Sequence, residues 1–108
     1  MRNLKALTFI LLLASISPAW SNFDDGVAAY ARGDYALALQ EFRPLAEQGD
    51  VNAQLFLGYL YDVGHGVTQD HEQAAKWYLS AAQQGQSQAQ YNLGLMYANG
   101  RGVVQSFE

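Results

Sequence analysis

QGDVNAQLFLGYLYDVGHGVTQDHE (residues 48–72) returns 36 positions later as QGQSQAQYNLGLMYANGRGVVQSFE (84–108). Twelve of the 25 pairs are identical, among them Ala53/Ala89, Leu57/Leu93, Gly58/Gly94, Tyr61/Tyr97, Gly64/Gly100, Gly66/Gly102 and Val67/Val103. The same offset relates Asp34 to Asp70, Ala38 to Ala74 and Ala46 to Ala82. A period of this length marks a chain built from repeated units, each too small to bury its own apolar face.

The unit is helical. Ala53, Leu57 and Tyr61 recur every fourth residue with Leu60 beside them, which puts them on one face. Asp50 caps a helix over 51–63 that Gly64 stops. Asp70, in a capping box with Gln73, opens a second helix that runs to Gly85. Ser87 and Gln90 are read as the same box before a helix over 88–99. Upstream, Asp34 caps a helix from Tyr35 to about Gln48, and a weaker helix covers 24–32. Pro44 falls inside the first of these and is expected to kink or loosen the turn before it. Gly58 and Gly94 sit mid-helix, at about 1 kcal/mol each relative to alanine. Their recurrence predicts close approach by the partner helix at both places. Ala74, Ala75, Ala81 and Ala82 are the small residues facing them, and Trp77 and Tyr78 supply bulk. Val67 and Val103 are expected to tuck the Gly-x-Gly loop against its hairpin.

The fold class that follows is all-α: an α/α superhelical solenoid of antiparallel helix hairpins. The residues Ala53-Gln54, Leu57-Gly58, Tyr61, Gly64-x-Gly66-Val67, Asp70, Ala74, Trp77-Tyr78 and Ala81-Ala82 resemble a Sel1-like repeat, a tetratricopeptide-like unit with a longer interhelix loop. The resemblance covers 50–85 as a full repeat, 86–108 as a half repeat, and 23–49 as a degenerate first repeat. It implies a binding scaffold of the kind used in signalling, envelope assembly and host interaction by bacteria. A cysteine-rich branch of the family is linked to β-lactam binding and hydrolysis; this chain departs from it, having no Cys.

Ahead of the repeats, Arg2 and Lys5 precede the apolar run ALTFILLLASI (6–16) and the small-residue stretch around Ala19 and Ser21. That is the layout of a secretory signal peptide over 1–21, with cleavage before Asn22. The run is about 11 residues, short of the ~20 that span a bilayer. The domain is then 22–108, with ten acids against Arg32, Arg43, Lys76 and Arg101. This acidic balance argues against nucleic acid, which needs clustered bases. With no Cys there is no disulfide framework or thiolate nucleophile. The expected location is periplasmic or secreted, with no membrane association after cleavage.

No constellation points to catalysis, a metal or a cofactor. His65 and His71 are six apart across a loop, with Asp62 and Asp70 nearby, but lack the spacing of a zinc motif; they read as loop residues. Asp24 and Asp25 favour a helix start. Gly64-His65-Gly66-Val67 shares only its glycines with a phosphate loop.

The better lead is surface. Leu55, Phe56, Tyr59 and Val63 are apolar positions the core pattern leaves unused; their counterparts are Tyr91, Asn92, Leu95 and Asn99. In such solenoids the first helix of each hairpin lines the concave groove, so Leu55, Phe56, Tyr59, Tyr91, Asn92, Leu95 and Asn99 are the candidate binding residues for a peptide or partner helix. The other reading is packing against neighbouring repeats. The function expected is a non-enzymatic protein–protein interaction scaffold of the envelope or secreted fraction. The alternatives are a hydrolase or β-lactam binder, and a remnant of a longer array. The second helix of the last repeat is missing from the pattern, so Leu93, Met96 and Tyr97 are expected to need cover. A partner, a homodimer through this unpaired helix, or an inward turn of these residues would each supply it.

Overall fold

The computed structural model describes residues 21–103. The expected leader, Ser21 apart, lies outside the described residues, as do 104–108. Five helices follow one another: α1 (Phe23–Ala31), α2 (Tyr35–Glu47), α3 (Val51–Val63), α4 (His71–Gln83) and α5 (Ser87–Asn99). Consecutive helices pack on each other, forming the hairpins α1–α2 and α3–α4 with α5 as the next first helix. The fold is the expected all-helical solenoid.

The helix starts follow from side chains that take up orphan amides. Asp34, Asp50 and Asp70 accept from the amides of Leu37, Ala53 and Gln73. Two expectations are corrected here. Asp70 makes only half of a capping box: its own amide bonds the Tyr61 carbonyl at 2.9 Å, tying α4 to α3. Nor does Ser87 cap α5. It is already helical, and Gln86 caps instead, its side-chain oxygen 2.7 Å from the Ala89 amide. The longer Gln side chain reaches the site that Asp50 occupies one repeat earlier. At the front, Asn22 caps α1 through the amides of Asp24 and Asp25. Pro44 leaves α2 unbroken. The carbonyl it deprives of a donor belongs to Gln40, an exposed residue where water can replace the bond.

The core has two parts. Ala29, Ala38, Phe42, Ala46, Ala53, Leu57 and Leu60 form the first. Ala74, Ala75, Tyr78, Ala81, Ala89 and Met96 form the second. Tyr61 packs against both, and its hydroxyl accepts from the Arg43 guanidinium at 2.8 Å. Val103 joins the second part, as expected of the loop valine.

Close approach by the partner helix holds at one of the two expected glycines. A Cβ on Gly58 would lie 2.7 Å from the Tyr78 ring and 3.3 Å from the Ala74 carbonyl oxygen. Among the described residues, a Cβ on Gly94 would meet nothing within 4 Å. The equivalent of α4 that would face Gly94 is absent from the described residues. The loop glycines, by contrast, repeat their contact. Gly66 (φ 78°) lies against the backbone of Tyr35, and Gly102 (φ 71°) against the carbonyl of His71. Tyr35 and His71 are themselves 36 apart and each opens the second helix of its hairpin. Each Gly-x-Gly loop therefore seats its second glycine on the preceding second helix, at a left-handed φ that disfavours any side chain.

Candidate functional site

Three first helices contribute to a groove of about 410 Å³. Tyr30 comes from α1; Leu55, Phe56 and Tyr59 from α3; Gln88 and Asn92 from α5. The α3 residues flank the buried Leu57 and Gly58, Leu55 and Phe56 before them and Tyr59 after, so the groove side of α3 is set by its core side. The groove combines an aromatic and aliphatic wall with two amides. Gln88 Nε2 donates to Asn92 Oδ1 at 2.9 Å, one turn apart on α5, which pairs the two amides.

Four of the seven candidate residues meet here: Leu55, Phe56, Tyr59 and Asn92. Tyr91, Leu95 and Asn99 do not line the groove. Tyr91 is 63% exposed, on another side of α5. Leu95 and Asn99 share the helix face of Gln88 and Asn92, each seven residues on, but lie further along α5 than the residues that line the groove, whereas Tyr91 is turned about 100° from its neighbour Asn92. Phe56 does double duty, stacking on Phe42 at a centroid distance of 5.0 Å while lining the groove. The packing reading and the groove reading are thus both true of it.

Tyr30 and Gln88 were not singled out by the sequence pattern. The α1–α2 connection has three residues (32–34) where α3–α4 has seven (64–70), so the offset of 36 fails upstream of Asp34. Gly26 marks the true register. It precedes Gly58 by 32 positions, and a Cβ on it would meet the Phe42 ring at 2.6 Å, as Gly58 meets Tyr78.

His65 is more than a loop residue. Its ring stacks on Tyr35 at 4.2 Å, and its Nδ1 lies 3.3 Å from the Tyr30 hydroxyl. It also stands edge-on to Tyr59, so the loop buttresses the two tyrosines of the groove. His71 takes a different partner: its Nδ1 lies 3.1 Å from Asp62 Oδ1, while Asp62 Oδ2 accepts from the buried Tyr78 hydroxyl at 3.3 Å. These bonds join the end of α3 to the start of α4. Among the described residues no three potential metal ligands converge, and no helix is long and apolar enough to cross a membrane.

Two phenols are held protonated. Desolvation, then the neighbouring Tyr59 hydroxyl, pushes Tyr30 up from 10.0 to about 12. Burial, then the Asp62 charge, raises Tyr78 as well. An unfolded chain releases these protons near 10 while the folded chain keeps them, so stability is intact below pH 10 and falls as pH rises toward 12. The melting temperature is expected to drop across that window, in step with tyrosinate absorbance that lags free tyrosine. A melting temperature flat from pH 10 to 12 would contradict this.

Comparison with known proteins agrees with this architecture. A family model described as Sel1 repeat matches residues 51–86 and 87–108. The crystal structure of a Sel1 repeat protein from Oxalobacter formigenes superimposes with a TM-score of 0.75 at 40% identity, over 79% of this chain and 35% of that one. The crystal structure of c5321, a protective antigen present in uropathogenic Escherichia coli strains and displaying an SLR fold, gives 0.74 at 38% identity. That match covers 92% of this chain and 22% of c5321, so this chain spans only a minor part of the length of either. No curated protein matches. On the repeat match and on the shared fold, the chain belongs to the Sel1 repeat family.

Proposed function

We propose that this protein is a non-enzymatic interaction scaffold of the bacterial envelope or secreted fraction, docking a peptide in the groove across α1, α3 and α5. Sel1 repeats generally mediate protein–protein interaction, and the family fold is a typically non-enzymatic scaffold. The observation that carries the finer reading is the joint lining of one concavity by Tyr30, Leu55, Phe56 and Tyr59 with the paired amides Gln88 and Asn92. Aromatic walls anchor apolar side chains at little entropic cost, and amides suit a peptide backbone. The export reading rests on the charge, apolar run and small residues of positions 1–21.

The test selects a random peptide library displayed on phage against the purified protein. Recovered peptides are expected to carry aromatic or aliphatic anchors. Tyr59→Ala and Asn92→Ala are expected to weaken their binding about tenfold or more, with helical circular dichroism unchanged, since loss of an anchor costs ~1–2 kcal/mol or more. Peptides indifferent to both variants would sink the groove; unfolding of Tyr59→Ala would return that residue to the core. For export, mass spectrometry of the expressed full chain should find a periplasmic form beginning at Asn22. Retention of Met1 in the cytoplasmic fraction would refute it.

A further inference from the structure

The chemistry of the groove narrows what it can hold. Among the described residues, none of the six that line it is Asp, Glu, Lys, Arg or His. The helices that build it are nearly bare of charge as well. α5 contains no Asp, Glu, Lys or Arg, and α3 contains Asp62 alone, which is engaged by His71 and Tyr78. On α1, Asp24 and Asp25 stand in the first turn, about 7–9 Å along the axis from Tyr30. A charged side chain entering the groove would lose water and meet no counter-charge. The occupant is therefore uncharged where it touches the wall.

The wall is also braced. Tyr30 packs on Tyr35 at 5.2 Å between centroids and meets Tyr59 edge-on at 6.1 Å. His65 stands against both groove tyrosines. Phe56 is held by Phe42 and, edge-on, by Phe23 at 5.5 Å. Rings held by other rings adapt little, so they favour a ligand whose shape is set before it binds. The polar atoms add a second constraint. Gln88 Nε2 and Asn92 Oδ1 are paired with each other, which leaves Asn92 Nδ2 and the phenols as donors. Gln88 Oε1 is the acceptor left beside the phenolic oxygens. A peptide laid on Leu55, Phe56 and the ring faces finds few acceptors for its N–H groups, and unpaired N–H groups against an apolar wall are costly.

We propose that the occupant is an uncharged, proline-rich segment of a partner protein in the polyproline II conformation, an inference that rests on the peptide reading of this groove. Proline has no N–H to leave unpaired, and its ring fixes φ before binding. Polyproline II makes no internal hydrogen bonds, so its carbonyls are free for Asn92 Nδ2 and the tyrosine hydroxyls. Its rings and the apolar side chains between them pack on aromatic walls. A helix also satisfies its own N–H groups, but it is bulkier. At about 10–12 Å across and 5.4 Å per turn, one turn fills roughly 420–610 Å³. The groove holds about 410 Å³.

The probe is an acetylated and amidated peptide of two Pro-Pro-Leu-Pro-Pro-Ser units, titrated into the purified protein by calorimetry. A second peptide carries Ala for every Pro; a third and a fourth carry Glu or Lys for every Leu. The proline peptide is expected to bind about tenfold or more tighter than each of the others, through preorganisation and absence of charge. Tyr59→Ala and Asn92→Ala are expected to weaken it about tenfold, and Tyr59→Phe severalfold through loss of one donor. Tyr91→Ala is expected to leave it unchanged. An alanine peptide that binds as well, and still depends on Tyr59 and Asn92, overturns the proline inference and leaves the groove standing. So does a Glu or Lys peptide that binds as tightly, or a proline peptide that fails where library peptides sensitive to Tyr59→Ala bind. A proline peptide indifferent to Tyr59→Ala and Asn92→Ala overturns both readings. Chitotriose bound in a Tyr59-dependent way, with no peptide bound, gives the groove to a neutral sugar and overturns both as well.

Discussion

Tyr78→Ala is expected to cost about 3–5 kcal/mol, the range for emptying a large aromatic site in a core. Tyr78 is fully buried and is the largest side chain sealed among the described residues. Its ring lies over Gly58, and its hydroxyl satisfies Asp62 Oδ2. Alanine there removes the ring contacts, opens a void between α3 and α4, and leaves a half-buried carboxylate short of a donor. A small domain holds about 5–15 kcal/mol in total, so this single change takes a large share of it. Urea denaturation followed by circular dichroism measures the loss. Tyr78→Phe isolates the hydroxyl and is expected to cost about 0.5–1.5 kcal/mol. Tyr91→Ala, at a mostly exposed residue, is expected to move stability by less than about 0.5 kcal/mol. Equal losses for Tyr78→Ala and Tyr91→Ala would refute the packing described.

The second large effect is a pair of identical substitutions with opposite signs. Gly58→Ala and Gly94→Ala change equivalent positions of two repeats. At Gly58 the new methyl would enter the Tyr78 ring, which is held from all sides and cannot swing away. Overpacking of this kind costs about 1–3 kcal/mol, more than the ~1 kcal/mol that alanine returns through helix propensity. A net loss is expected. At Gly94 the methyl meets no atom of the described residues within 4 Å, and the propensity gain of ~1 kcal/mol stands alone. Thermal melts of the two variants should therefore move in opposite directions. A gain at both positions would show that Tyr78 yields to the methyl.

Much of this was readable from residue types. The Asp and Gly punctuation at Asp34, Asp50, Asp70, Gly64 and Gly100 located the helices within a residue or so, because caps obey local chemistry. The buried face of α3 followed from period alone. What escaped depended on distance in the chain. Gln86 is a poor cap by type and succeeds through reach. Gly94 carries the same residue as Gly58, but the helix that gives Gly58 its role has no counterpart beside it among the described residues. In the groove, Leu55, Phe56, Tyr59 and Asn92 were visible as apolar or amide surplus. Tyr30 was not, because a connection four residues shorter breaks the repeat register that would have pointed to it.

The seating of Gly66 on Tyr35 and of Gly102 on His71 makes the repeat length a gauge. Each contact joins a loop to the start of the previous second helix, across one unit of 36 residues less five. Adding or deleting a few residues anywhere within that span slides the glycine off its seat and brings a bulkier residue onto it. Adding or deleting a whole unit restores every contact. Such a gene can lengthen or shorten safely only by duplication or loss of entire units, whereas the α1–α2 connection, which carries no seated glycine, is free to drift in length.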